Sequence, residues 1–345
     1  MTDPMQLMRK NILELSPYST ARDEYDGPLG IYLDANENPY DNPQDSYNRY
    51  PDPHQRLLKQ RLSQIKQIPA NQIFIGNGSD EPIDLIFRVF CEPREDNAVS
   101  IAPTYGMYKV AAAINDIEMR EVRLREDFSL DTEALLAAAD EHTKLLFLCS
   151  PNNPTGNSFP AEEIEQVVRQ FNGMVVLDEA YIDFSENLGF LSRLAEFPNL
   201  IILQTLSKAW GMAGLRIGLA FAREDVISPL SRVKYPYNIN VIAQQIALEQ
   251  LDKNIKTQVS EIRSQRKWVE EQLAAIHTVR HIYPSDANFL LVRVDNPREI
   301  YNQLIEQGII VRDRSNVPGC AGCLRITIGT PEENRRLIDV FGKIV

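Results

Sequence analysis

The residues best able to do chemistry stand directly behind three short apolar runs. Behind the run 145–149 comes Ser150-Pro151-Asn152-Asn153-Pro154-Thr155-Gly156. Behind 175–177 come Asp178 and Tyr181. Behind 200–203 come Thr205, Ser207 and Lys208, with Gly211, Gly214 and Arg216 beyond. An amine, a carboxylate, a phenol, an amide and a guanidinium thus fall at equivalent places. A lysine amine is a nucleophile only when neutral, and desolvation or a nearby positive charge such as Arg216 brings that about. Two further places suit anions. Gly78-Ser79-Asp80 lies between a strand and a helix pattern, where free backbone N–H groups can face a phosphate. Gly76-x-Gly78 alone is weak, since it lacks the third glycine of a dinucleotide fingerprint. Arg325 sits among apolar residues in 324–328, where a guanidinium demands an anion.

These groups meet only if the runs are neighbouring strands. Continuous apolar runs at 72–75, 98–102, 145–149, 174–177, 200–203 and 215–221 predict a mostly parallel central sheet buried on both faces by helices. Helical patterns at 54–68, 80–91, 105–114, 131–139 and 161–171 lie between them. Open α/β sheets place ligands outside the carboxyl ends of their strands, which is where the three motifs fall. A long helical pattern runs from 240 toward 276. After it the order changes to strand 287–294, helix 297–307, strands 309–311 and 324–328, and helix 332–344, a smaller α+β lobe. The first fifty residues are rich in proline and glycine and show little periodicity. We expect a large domain over 36–250 and a small one built from both chain ends, 1–35 and 251–345.

Composition narrows the class. There are 345 residues, 43% hydrophobic and 24% charged, an ordinary globular mixture with room for about two domains. Asp and Glu number 48 against 36 Lys and Arg, a formal charge of −12. An acidic chain without a basic segment is poorly suited to nucleic acid. No apolar run nears the ~18 residues of a membrane helix, and the start lacks a signal-peptide layout, so a cytoplasmic protein is expected. Four cysteines make no disulfide framework. Cys320-Ala321-Gly322-Cys323 is one pair and cannot complete a four-ligand zinc site, and the four histidines form no cluster. No metal is expected.

The stretches SPNNPTG, VVLDEAYIDF and TLSKAWGMAGLRIG resemble the signature of fold-type I pyridoxal-phosphate aminotransferases. Further stretches are similar to one branch, the histidinol-phosphate aminotransferases: LSPYSTAR (15–22), LDANENP (33–39), NRYPDP (48–53), GNGSDEPIDLIFR (76–88), PTYGMY (103–108), VRDR (311–314) and LRITIGT (324–330). The resemblance implies pyridoxal 5′-phosphate as cofactor, with Lys208 as Schiff-base lysine and proton shuttle. It implies Asp178 at the pyridine nitrogen, and Tyr181 and Asn153 at the phenolic oxygen. Gly78, Ser79, Asp80, Thr205, Ser207 and Arg216 fall to the phosphate, and Tyr105 to the ring face. Tyr50 matches a tyrosine that reaches the phosphate from the neighbouring subunit, which implies a homodimer with shared sites. Tyr18, Asn36, Arg312 and Arg325 are the implied substrate residues; Arg314 lies close enough to stand in for Arg312. The implied reaction takes the amino group of L-histidinol phosphate to 2-oxoglutarate, giving imidazole acetol phosphate and glutamate, in histidine biosynthesis. An aromatic amino acid aminotransferase or a threonine-phosphate decarboxylase would share the motifs. A non-catalytic pyridoxal-phosphate-binding regulator would need an added DNA-binding module, for which there is no spare basic segment.

Overall fold

The computed structural model describes residues 3–20, 30–40 and 47–344. Arg22, at the end of one of the stretches above, lies outside them. In chain order the helices are α1 (Pro4–Leu7), α2 (Lys10–Leu13), α3 (Arg56–Lys66), α4 (Asp80–Phe90), α5 (Met107–Ile114), α6 (Thr132–Ala137), α7 (Ala161–Gln170), α8 (Glu224–Val233), α9 (Val241–Leu251), α10 (Lys256–Ala274), α11 (Pro297–Glu306) and α12 (Pro331–Phe341). The strands are β1 (Ile73–Asn77), β2 (Asn97–Ala102), β3 (Glu118–Arg123), β4 (Thr143–Cys149), β5 (Met174–Asp178), β6 (Leu200–Thr205), β7 (Ile217–Phe221), β8 (Val279–Ile282), β9 (Phe289–Val294), β10 (Arg312–Asp313) and β11 (Cys323–Thr327).

Seven strands form one sheet in the order β1-β7-β6-β5-β4-β2-β3. Neighbours from β6 to β3 pair in parallel, and β7 runs antiparallel to both β6 and β1. The sheet is therefore mixed, with one reversed strand that the apolar run 215–221 did not reveal, since a buried strand reads alike in either direction. Val175, Leu177, Leu200 and Ile202 point into one apolar layer, and Val176, Ile201 and Leu203 into the other. Period-two alternation puts successive side chains on opposite faces, so a strand covered on both sides needs apolar residues throughout.

The smaller sheet is antiparallel, in the order β10-β11-β9-β8, and is covered by α10, α11 and α12. The Thr330–Glu333 capping box starts α12 by satisfying donors at its first turn. Tyr181, Phe184, Ala209, Val259, Ala287 and Phe289 form an apolar seam between the lobes.

Several expectations change. The long pattern 240–276 is two helices, α9 and α10, parted around Asp252. The helix expected at 105–114 begins at Met107. The strand expected at 309–311 pairs only at Arg312–Asp313. The described start of the chain, expected with the small lobe, packs on the large one. Leu7, Met8 and Ile12 share a buried layer with Ile83, Phe87 and Leu230, and Arg9 pairs with Glu92 at 2.9 Å. No helix among the described residues is long and apolar enough to cross a membrane.

Candidate active site

Strands β4, β5 and β6 end side by side, and a cavity of about 650 Å³ opens beyond their carboxyl ends. Ser79, Asp80, Tyr105, Asn153, Asp178, Tyr181, Thr205, Ser207, Lys208, Arg216, Arg312 and Arg325 all line it. The parallel register explains the convergence: Cys149 lies opposite Asp178, and Asp178 opposite Leu203.

Asp178 forms the buried end of β5. It accepts hydrogen bonds from Tyr108 Oη at 2.6 Å and the Ala180 N–H at 2.9 Å. Burial pushes its carboxyl above the usual range, and these two donors and Lys208 oppose the rise. Lys208 Nζ stands 5.4 Å from the centre of the Tyr181 ring. Burial first, and then Arg325, push its amine below the ordinary lysine range, against the pull of Asp178, so the neutral nucleophile is easier to reach than for an exposed lysine. Burial pushes the Tyr181 phenol up. Its ring packs edge-on against Phe289 of the small lobe at 5.2 Å.

Asn153 is buried, and its Oδ1 accepts from Arg325 Nη1. That bond orients the amide and leaves Nδ2 as the donor. Asn152, which the motif also contains, binds the Pro103 carbonyl and Thr155, and accepts from Thr104. It ties the turn of 150–156 to the loop after β2.

The anion end is built around the start of α4. Ser79 precedes the helix, with Asp80 and Glu81 in its first turn. Gly78 has φ +74, and its N–H donates to the Arg216 carbonyl at 2.7 Å. A side chain on Gly78 would collide with the Arg216 guanidinium, and one on Gly218 would collide with the Gly78 backbone. Both glycines keep two chain segments close enough to cradle an anion. Asp80 accepts from Tyr105 Oη at 2.9 Å and lies 3.5 Å from Arg216 Nη2. The Thr205 hydroxyl donates to the Ile217 carbonyl at 3.2 Å and accepts from the Ser207 N–H at 3.1 Å. Thr205 thus shapes the turn that presents Ser207, and it also lines the cavity.

Arg312 and Arg325 lie opposite each other in β10 and β11. Arg325 packs over Phe289, with its guanidinium 5.3 Å from the ring centre.

Four expected residues do not line the cavity, among them Gly78, which shapes the turn before α4. Tyr18 is 76% exposed, Asn36 is exposed with φ +54, and Tyr50 is 51% exposed and stacks on Tyr237 at 4.4 Å. Arg314, weighed as a stand-in for Arg312, lines the cavity together with it, whereas sequence reasoning gave no role to Tyr108 or Gly218. Tyr108 follows Tyr105 by one helical turn, and Gly218 is the one glycine inside an otherwise apolar strand. Those were the available signals.

The sequence profile of the family described as aminotransferase class I and II matches residues 30–341. A histidinol-phosphate aminotransferase of Parabacteroides distasonis is 54% identical over 343 residues, 99% of either chain. The solved histidinol-phosphate aminotransferase of Clostridium acetobutylicum superposes with a TM-score of 0.80 at 23% identity, over 86% of this chain and 91% of that one, a likeness of fold. That of Sinorhizobium meliloti, solved in complex with pyridoxal-5′-phosphate, gives 0.78 at 25% identity, over 87% and 83%.

Proposed function

This chain belongs to the aminotransferase class I and II family, and on that premise we propose that it moves the amino group of L-histidinol phosphate to 2-oxoglutarate. The products are imidazole acetol phosphate and glutamate, in histidine biosynthesis, and the cofactor is pyridoxal 5′-phosphate. The observation that carries the reading is one cavity holding the softened Lys208 amine, the buried Asp178 carboxylate and a wall of arginines.

The donor set suits that cofactor. A buried carboxylate matches a protonated pyridine nitrogen, and the glycine cradle at Gly78 with the start of α4 matches a phosphate. When bound, the cofactor supplies a conjugated ring that accepts the electron pair left at the substrate Cα. Asp178 holds the ring nitrogen protonated, with Tyr108 and the Ala180 N–H fixing its carboxylate. Lys208 holds the cofactor through its amine. Once substrate takes its place, the freed Lys208 amine would be the base that takes the proton from the substrate Cα and carries it to the cofactor carbon on the other side of the shared nitrogen. Tyr181 Oη and Asn153 Nδ2 donate to the phenolic oxygen. Ser79, Ser207, Arg216 and the backbone N–H groups of 79–80 hold the phosphate, with Gly78 shaping the turn through its bond to the Arg216 carbonyl, and Tyr105, braced by Asp80, covers the ring. Arg325 and Arg312 grip the anionic end of either substrate, since a guanidinium fork suits carboxylate and phosphate alike.

We read the protein as a cytoplasmic homodimer. Tyr18, Asn36 and Tyr50 do not line the cavity of their own chain, and on this reading Tyr50 serves the cavity of a second copy packed against this one.

The test is direct. Protein saturated with pyridoxal phosphate should convert histidinol phosphate stoichiometrically in the first half-reaction and phenylalanine poorly. Lys208→Ala should lose about 10²- to 10⁴-fold in turnover. In that variant, borohydride should no longer fix the cofactor to the protein, as read by mass spectrometry. Equal use of phenylalanine, or release of carbon dioxide from threonine phosphate, would overturn the assignment.

A further inference from the structure

We infer that Arg314 is a phosphate-binding residue that sets the substrate end of the cavity for a dianion over a carboxylate. This deepens the functional reading above and rests on it. Arg312 faces Arg325 across β10 and β11, and the chain continues to Arg314, whose N–H donates to the Cys323 carbonyl at 2.8 Å. Period-two alternation returns Arg314 to the face that Arg312 occupies. Asp313, between them, spends its Oδ1 on the Ser315 N–H at 2.9 Å. Arg312, Arg314 and Arg325 all line the one cavity.

Among the described residues, none of the three is ion-paired. Arg325 gives one bond to Asn153. Arg314 Nε is buried with no partner. The carboxylates lining the cavity are committed elsewhere: Asp178 to Tyr108, Asp80 to Tyr105 and Arg216, and Glu121 to Lys109. Burial, and then Arg312, weaken the hold of Arg314 on its proton. Like charges gathered with no acid are unfavourable until a ligand brings compensating charge. A carboxylate is satisfied by a single guanidinium fork. A phosphate monoester, with its second ionisation near about 6, carries nearly two charges and three acceptor oxygens. The third guanidinium is surplus for glutamate and matched to the phosphate end of the other substrate.

The experiment uses Arg314→Gln protein loaded with cofactor. Its kcat/KM for histidinol phosphate should fall about 10- to 100-fold, mostly through KM, as for loss of a charged hydrogen-bonding partner. The glutamate half-reaction should be nearly unchanged. The melting temperature should not drop, because the lost group has an unpartnered buried nitrogen. Arg314→Lys, keeping charge without the fork, should lie between. Equal losses for both substrates, or no loss for histidinol phosphate, would refute the inference. If the wild type turns over glutamate but ignores histidinol phosphate, the functional reading fails separately. Titration of the loaded proteins with inorganic phosphate then decides: weaker binding by Arg314→Gln supports the inference, and equal binding overturns it.

Discussion

A buried carboxylate keeps its charge only while donors face it, and Asp178 has Tyr108 at 2.6 Å and the Ala180 N–H at 2.9 Å. A hydrogen bond to the ionised form favours ionisation, so Tyr108→Phe lets burial push Asp178 further up. The acidic limb of kcat/KM against pH should then move to higher pH. The cofactor should dissociate more readily, and kcat should fall about tenfold, the cost of one hydrogen bond to a charged group. A pH profile superimposable on that of the wild type would reduce Tyr108 to space-filling. Much of the rim was legible because Asn153, Asp178, Tyr181 and Lys208 each follow an apolar run by a few residues, and strand ends are where such a sheet exposes side chains. Tyr108 was not, because its role depends on a partner 70 residues away. The bond made by the Thr205 hydroxyl was not legible for a similar reason. Its acceptor is a carbonyl of the reversed strand β7, and neither the reversal nor that contact is written in local spacing.

At the scale of elements, Glu179 couples the strand carrying Asp178 to the one leading to Lys208. Its carboxylate accepts from the Phe190 N–H at 2.6 Å and from Gln204 Nε2 in β6 at 3.0 Å, and its own N–H donates to the Leu203 carbonyl. Burial raises its pKa from 4.5 to about 7. Between those values the folded chain holds a proton that the unfolded chain has released. Stability from this group therefore falls as pH rises through that window and levels off above it. Glu179→Gln stays neutral throughout and can still accept from Phe190, while its new amide can reach Gln204, whose Oε1 is buried without a partner. The melting temperature of the variant relative to wild type should climb from about pH 5 to about pH 7 and then stay flat. A difference independent of pH would sink the argument. The central strands were readable because burial on both faces demands unbroken apolar runs. Two edge strands were not: β3 reads Glu-Met-Arg-Glu-Val-Arg and β8 includes Arg280 and His281, since each is partly exposed with a neighbour on one side only, whereas the edge strand β1 is buried and reads as an apolar run. Helix α8 went unseen because Pro229 interrupts its pattern.

Across the whole molecule, a chain of formal charge −12 gathers Lys208, Arg216, Arg312, Arg314 and Arg325 around one cavity. Local positive charge set against an overall acidic chain favours an anion at that place. The same scale holds the case for a shared site. Among the described residues, 30–40 and 47–50 form an arm tied together by the Tyr50 N–H donating to Glu37 Oε1 at 2.7 Å and by Arg49 paired with Glu37 at 2.7 Å, with the Tyr50 ring on Tyr237. Yet Ile31, Leu33, Tyr40 and Tyr47 on it are exposed, an apolar surface that a second copy would bury. A two-fold dimer uses the same patch on both subunits, so each arm would reach the other's cavity. Differently tagged subunits carrying Tyr50→Ala and Lys208→Ala test this together. If Tyr50 crosses the interface, a mixed dimer places both defects in one site and leaves the other intact. It should recover up to about half of wild-type turnover, although each homodimer is impaired. If Tyr50 serves its own chain, every site in the mixed dimer keeps one defect, and no recovery follows.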